Sequence, residues 1–165
     1  MIQRIQTLWL AFVVLLTGAS FFFPIAEFSF DYKGNITGTY GLLPENNTIY
    51  QIINNVQAYE WSLIFMQIGV ALFALVAIFL YNKRPLQLKV VAGGMLLLTI
   101  YIAFLIFVKI DSLEDKIAEL LQVTVKTTYN KISIMFPVLQ VLLLILTQRA
   151  IRKDERIVRS SERLR

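Results

Sequence analysis

Three clustered carboxylates, Asp111, Glu114 and Asp115, are the side chains in this sequence best placed to do chemistry. Paired carboxylates can act as general acid and general base. The same residues open an amphipathic segment, and acidic side chains in a first helical turn are favoured by the helix dipole. We therefore interpret them as a solvated first turn, with carboxylate catalysis as the alternative.

The sequence contains neither histidine nor cysteine. Their absence excludes Ser–His and Cys–His nucleophiles, disulfide exchange, His-ligated haem and zinc sites built from His and Cys. No Walker loop and no GxGxxG pattern is present. We therefore expect a protein that is not an enzyme and that needs no cofactor or metal.

The elements that position these residues are apolar. Hydrophobic residues make up 57% of the 165 residues and charged residues 16%, whereas soluble domains carry about 25% charged residues. Four long apolar runs have central parts free of charge, and about 20 such residues cross the ~30 Å hydrocarbon layer. The predicted spans are about 8–26, 61–81, 88–108 and 132–148.

The first run has a competing interpretation as a cleaved signal peptide. Arg4 would supply its basic region and Thr17 to Ser20 the small residues before cleavage. The apolar run continues beyond that point through Phe21, Phe22 and Phe23. This continuation favours a retained helix.

The orientation follows from the distribution of Lys and Arg, because cytoplasmic loops are enriched in both. Eleven lie in the N-terminus, the second-to-third connection and the C-terminal segment, and five in the two longer loops, 27–60 and 109–131. The eleven are Arg4, Lys83, Arg84, Lys89, Arg149, Arg152, Lys153, Arg156, Arg159, Arg163 and Arg165. We predict both termini inside and the longer loops outside.

The first outer loop predicts a hairpin followed by a helix. Alternating residues from Phe28 to Tyr32, the turn dipeptide Gly34-Asn35 and a returning segment from Ile36 to Tyr40 indicate two strands. Beyond Pro44 the spacing of Thr48 and Gln51 fits a capping box. The helix that follows has its apolar residues on one face, namely Ile49, Ile52, Ile53 and Val56.

The second outer loop predicts one amphipathic helix. Asp111 or Ser112 would cap it. Its apolar face comprises Leu113, Ile117, Leu120 and Leu121. We expect the apolar faces of the two loops to pack on each other and on the lipid interface, with a binding surface as the alternative.

Two polar residues, Gln67 and Gln140, lie inside predicted spans. A buried amide needs a partner in hydrocarbon, so we expect each to bond to a neighbouring helix, at ~0.6–2 kcal/mol. Ion-coupled transport usually needs an ionisable group within the spans. Here Glu27, Glu60 and Lys109 lie only at the outer ends of the spans, so transport is disfavoured and we interpret these residues as interfacial anchors.

Small residues in the second and third spans permit close helix contact. They are Gly69, Ala71, Ala74, Ala77, Ala92, Gly93 and Gly94. Packing within the chain is the preferred interpretation, and a contact with a partner subunit is the alternative.

The segment 151–165 is predicted to be a basic helix continuous with the fourth span. Near an anionic leaflet each Lys or Arg contributes ~1 kcal/mol. Its candidate lipid or partner contacts are Arg152, Lys153, Arg156, Arg159, Arg163 and Arg165. Anionic lipid is the preferred partner, a membrane protein is the alternative, and nucleic acid is disfavoured.

The opening MIQRIQTL and the ending RAIRKDERIVRSSERLR resemble a family of small four-span membrane proteins from Bacteroidota that is defined as a domain of unknown function. The resemblance covers the whole chain. It implies the inner membrane of a Gram-negative bacterium, with the outer loops in the periplasm. It supplies no activity and no catalytic residues.

A second likeness concerns architecture alone. Four spans with a strand-bearing first outer loop resemble the claudin layout, and Tyr40-Gly41-Leu42-Leu43 is similar to part of that family's loop motif. The paired loop cysteines of claudins are missing here.

The sequence thus predicts an all-α membrane protein. Residues 1–150 form a bundle of four transmembrane helices, with a periplasmic cap of a β-hairpin and amphipathic helices, and 151–165 form a cytoplasmic tail. We expect a multi-pass inner-membrane protein that is a non-enzymatic accessory or assembly component of the cell envelope. The alternative is a small transporter, channel or lipid-binding protein.

Overall fold

The computed structural model describes residues 2–31, 35–49, 52 and 60–163, and the side chains of residues 5–158 within those ranges. The helices are α1 (Ile2–Ser20), α2 (Trp61–Phe79), α3 (Arg84–Phe104), α4 (Asp111–Leu121) and α5 (Lys131–Arg163). The strands are β1 (Ala26–Asp31), β2 (Asn35–Tyr40) and β3 (Val125–Tyr129). Short 3-10 turns span Pro44–Asn46 and Leu80–Asn82, and a π-helical segment spans Leu105–Ile110.

Three of the described helical stretches are long and apolar enough to cross a membrane: Trp61–Asn82, Arg84–Leu121 and Lys131–Val158. The described apolar stretch of α1, Ile5–Ser20, is shorter than these. The chain is therefore a mainly helical protein with several helices that could span a membrane. The four-span topology and its orientation remain predictions.

The long helices contact one another side by side. Helix α1 packs against α2 and α5, and α3 packs against the same two helices. Phe73 of α2 lies directly over Gly93 and Gly94 of α3, so the small residues singled out in the sequence do permit a close approach between these two helices. We call the end of the helices where the sheet lies the cap end, and the end where α1 begins the tail end.

The boundary between α3 and α4 corrects one prediction. The sequence predicted a loop from residue 109 and a helix capped by Asp111 or Ser112, but the helix runs without a break from Arg84 to Leu121. The Ser112 hydroxyl donates to the Lys109 carbonyl instead of capping a helix. A π turn carries an extra residue and so shifts the helical phase, and apolar residues on both sides of it, Leu98 and Leu113, are buried.

The sheet confirms the predicted strands and adds a third. Strands β1 and β2 pair antiparallel, with Phe28 opposite Gly38, and β3 pairs antiparallel with the other edge of β1. Phe28 and Phe30 are buried on one face while Glu27 points outward, as period-2 patterning requires. The predicted turn at Gly34-Asn35 lies partly outside the described residues.

The amphipathic helix predicted after Pro44 is described only in part. Thr48, Ile49 and Ile52 are helical, and 50, 51 and 53–59 lie outside the described residues. Ile49 is buried and covers Gly38 of β2. The Thr48 hydroxyl, predicted as a helix cap, accepts a hydrogen bond from the Thr39 backbone N–H at 2.8 Å, and so fastens this segment to the edge of β2.

Candidate functional site

A cavity of about 320 Å³ opens between α3 and α5 at the cap end. Most of its wall is aliphatic, with Ile102, Leu105, Ile106 and Ile110 on one side and Ile134, Pro137 and Val138 on the other. Hydroxyl-bearing residues complete it: Ser20, Tyr101, Tyr129 and Ser133. The cavity can therefore take an apolar chain with a few hydrogen-bonding groups.

Irregular helix geometry creates both walls. On one side the π segment widens the turn, and such segments occur frequently at functional sites. On the other side Pro137 interrupts α5, and because proline lacks an N–H, the carbonyl of Ser133 has no helical donor four residues on. The Ser133 hydroxyl donates a hydrogen bond to the Pro24 carbonyl, at 2.5 Å. The cavity thus lies where both of its main helices depart from regular geometry.

At its inner end the cavity reaches Ser20, which belongs to a series of buried hydrogen bonds between side chains and α1. Ser20 donates to the Thr17 carbonyl at 2.7 Å and accepts from the Gln67 side-chain amide at 3.0 Å. Gln67 itself is completely buried and does not line the cavity. Ser20 therefore lies between the cavity and Gln67, the glutamine that the sequence singled out.

The second glutamine that the sequence singled out, Gln140, joins the same series of hydrogen bonds. The Gln140 amide donates to the Thr17 hydroxyl at 3.1 Å, and that hydroxyl donates to the Val13 carbonyl at 2.8 Å. Both glutamines therefore bond to α1, one from α2 and one from α5. Their side-chain carbonyl oxygens are buried, and no donor among the described residues reaches either of them.

Sequence reasoning missed Thr17 and Ser20, which it interpreted only as small residues. The available signal was their i,i+3 spacing, which places two hydroxyls on one helical face. Each hydroxyl satisfies its own donor locally on α1, so each can also accept a hydrogen bond from another helix.

A salt bridge joins Lys109 to Glu60. The ammonium nitrogen of Lys109 is 2.8 Å from the carboxylate of Glu60 and 5.8 Å from the centre of the Phe104 ring. The Glu60 side chain is only 6% exposed. The sequence placed both residues at the interface as separate anchors, and the structure joins them, so that the start of α2 is fastened to the π segment.

The three clustered carboxylates do not converge on a pocket. Asp111 and Asp115 are exposed, and Glu114 accepts a hydrogen bond from the Thr127 hydroxyl at 2.8 Å. Within the described part of the chain, no group of three or more acidic residues could hold a metal ion. The interaction of Glu114 fastens β3 to α4.

The tail cations lie at the opposite end. Arg152, Lys153 and Arg156 are exposed on α5, whereas the side chains of Arg159 and Arg163, and Arg165 as a whole, lie outside the described residues. Arg84 contacts the Asp154 carboxylate at 3.5 Å and its backbone carbonyl at 3.3 Å. The turn between α2 and α3 is thereby tied to the basic segment.

Apolar helices long enough to cross a bilayer, joined to a small sheet at one end, are compatible with a helical membrane protein. The chain belongs to the family described as Domain of unknown function (DUF4293), whose family model matches residues 2–164. No curated protein and no solved structure matches the chain.

Proposed function

We propose that this protein is a non-enzymatic accessory component of the bacterial cell envelope that spans the inner membrane four times and binds a lipophilic molecule. The cavity at the cap end is the observation that supports the proposal. In the predicted orientation it faces the periplasmic leaflet. Ile106, Ile134 and Val138 line it and are exposed on the outer surface of the helices, so a lipid chain can enter sideways from the bilayer.

The size and chemistry of the cavity support a ligand rather than a packing defect. Ligand pockets typically measure about 300–1,000 Å³ and combine an apolar lining with a few placed polar groups. Here the polar groups are hydroxyls, and the part of the chain that the structure describes contributes no Asp, Glu, Lys or Arg to the wall. A hydrocarbon chain with a hydroxyl, ester or amide at one end fits this composition better than an ion does.

A filled-cavity variant tests the proposal. Ile102→Trp places a large ring in the cavity wall, and Ile100→Trp puts the same ring on an exposed position of α3 that does not line the cavity. Both proteins are reconstituted with a phospholipid that carries a photoreactive acyl chain. We expect Ile102→Trp to lose most of the label that maps to the π segment and to 133–138, and Ile100→Trp to retain it. Equal labelling of both variants would contradict the proposal.

A second candidate function, assembly with a protein partner, is favoured by strand β3. It is the last strand in the order β2-β1-β3, and no further strand pairs with it among the described residues. An open strand edge is a template for β-augmentation. Because the Asn130 N–H bonds to the Ile25 carbonyl, strand alternation turns the Val125 N–H away from β1. Val125→Pro should therefore abolish capture of a stoichiometric partner from native membranes, and Thr128→Ala should not.

A further inference from the structure

A furrow runs along α1 and α5 from the tail end towards the middle of both helices. It consists of two adjoining concavities of about 300 and 390 Å³ that share Trp9. The outer one is lined by Ile5, Trp9, Leu146, Arg149, Ala150 and Lys153. The inner one continues along the same two helices between Leu8 and Leu16 of α1 and Leu139 and Leu143 of α5.

We propose that this furrow binds one anionic phospholipid, with its phosphate on Arg149 and Lys153 and one acyl chain along α1 and α5. The site does not depend on the cavity at the cap end, since the two share no lining residue. It also differs from the diffuse tail contact predicted from the sequence, because Arg149 was not among the predicted contacts.

The charge at the outer end matches a phosphate. Arg149 and Lys153 are four residues apart and so share one face of α5. Both are exposed, and the ion pairs found among the described residues use Arg84 and Lys109 instead. Among the described residues, no acidic side chain lines the furrow. A guanidinium and an ammonium together can neutralise a phosphodiester that bears a net negative charge.

The apolar part matches an acyl chain in length. From Ile5 to Leu16 the helix rises about 17 Å at ~1.5 Å per residue, close to half of the ~30 Å hydrocarbon layer. Leu8 and Phe12 are 53% and 47% exposed, so the furrow presents apolar surface to the leaflet. Trp9 lies where the two concavities meet, at the depth where tryptophan is enriched between headgroups and chains.

Charge-matched variants separate a built site from general attraction of the tail. Arg149→Gln with Lys153→Gln removes two charges from the furrow. Lys83→Gln with Lys89→Gln removes two charges from exposed positions at the tail end that do not line it. Full-length protein in nanodiscs of phosphatidylcholine with phosphatidylglycerol is then ejected into a native mass spectrometer.

We expect the intact protein to retain phosphatidylglycerol in preference to phosphatidylcholine. The furrow variant should lose that preference by about thirtyfold, and the matched variant should keep it to within a few-fold. If both variants lose it equally, or neither does, the furrow site is wrong. Excess inorganic phosphate should leave the lipid bound. If phosphate displaces the lipid, Arg149 and Lys153 bind a free anion and the lipid site is wrong.

Discussion

The ammonium nitrogen of Lys109 lies 2.8 Å from the carboxylate of Glu60, across the gap between the π segment and the first residue before α2. Glu60 also donates its backbone N–H to the Leu42 carbonyl, at 3.5 Å. One residue thus connects the end of the first loop, the start of α2 and the irregular part of the third long helix. This connection gives the cap end a fixed geometry beside the cavity.

Lys109→Met should destabilise the protein by about 2 kcal/mol, because it leaves the nearly buried Glu60 carboxylate without a countercharge. Adding Glu60→Gln to that variant should recover part of the loss. Thermal unfolding in detergent measures both effects. Lys116→Met, on the exposed face of α4, is the control, and an equal loss there would show that the pair has no special role.

The hydrogen bond between Gln140 and Thr17 should cost different amounts of stability depending on which partner is replaced. Thr17→Val removes the acceptor of the Gln140 amide and leaves a buried donor unpaired, so we expect a loss of about 1–3 kcal/mol. Gln140→Leu removes the whole amide, including its unpaired oxygen, and should cost less than about 1 kcal/mol. The double variant should resemble Gln140→Leu. Additive losses in chemical unfolding would contradict this hydrogen bond.

The contact between α2 and α3 depends on glycine at position 94, because glycine has no Cβ atom. A Cβ atom at Gly94 would lie 3.1 Å from Cβ of Phe73, whereas one at Gly18 of α1 would meet nothing within 4 Å. Gly94→Leu should therefore destabilise the fold by about 2 kcal/mol through overpacking, and Gly18→Leu should not. Phe73→Ala keeps its own Cβ atom, so it should leave most of the defect of Gly94→Leu in place, as seen in the thermal midpoint. If Gly18→Leu is equally harmful, the cause lies elsewhere.

The orientation is testable because the chain has no cysteine. Lys116→Cys and Lys83→Cys each place a single thiol at an exposed position, at the cap end and the tail end respectively. With both termini inside, position 116 should react with a membrane-impermeant maleimide that reaches the periplasm. Position 83 should react only after the membrane is breached. The reverse pattern would invert the orientation.

Sequence patterning sufficed for some elements and not for others. Strands β1 and β2 were predictable because Phe28 and Phe30 alternate with polar residues beside a turn dipeptide. Strand β3, with the sequence VKTTY, has only its first and last residues apolar. Its pairing is set by β1, far away in the chain, and no local signal records that. The π segment was equally hidden, since a continuous apolar run has the same composition with or without an extra residue in one turn.

Of the candidate site, the sequence allowed us to predict only the two residues whose type is unusual in an apolar helix. Gln67 and Gln140 stood out as amides within apolar runs, but their partners on α1 are short hydroxyls common in any helix. The cavity depends on how Pro137 and the π segment face each other across two helices, which is a matter of tertiary packing. The pairing of Glu60 with Lys109 also arises from the fold alone, because both residues lie at ordinary interfacial positions.

The order of strands in the sheet has a consequence for biosynthesis. Ala26 of β1 pairs with Tyr129 of β3, so the sheet cannot close until the chain has been made as far as Tyr129. At ~5–20 residues per second, the intervening ~100 residues take on the order of 5–20 s to translate. During that time α2, α3 and α4 are made while the β1–β2 hairpin waits with one edge open. The cap thus cannot be completed before β3 is made, and a chain that stalls earlier leaves that edge exposed to other chains.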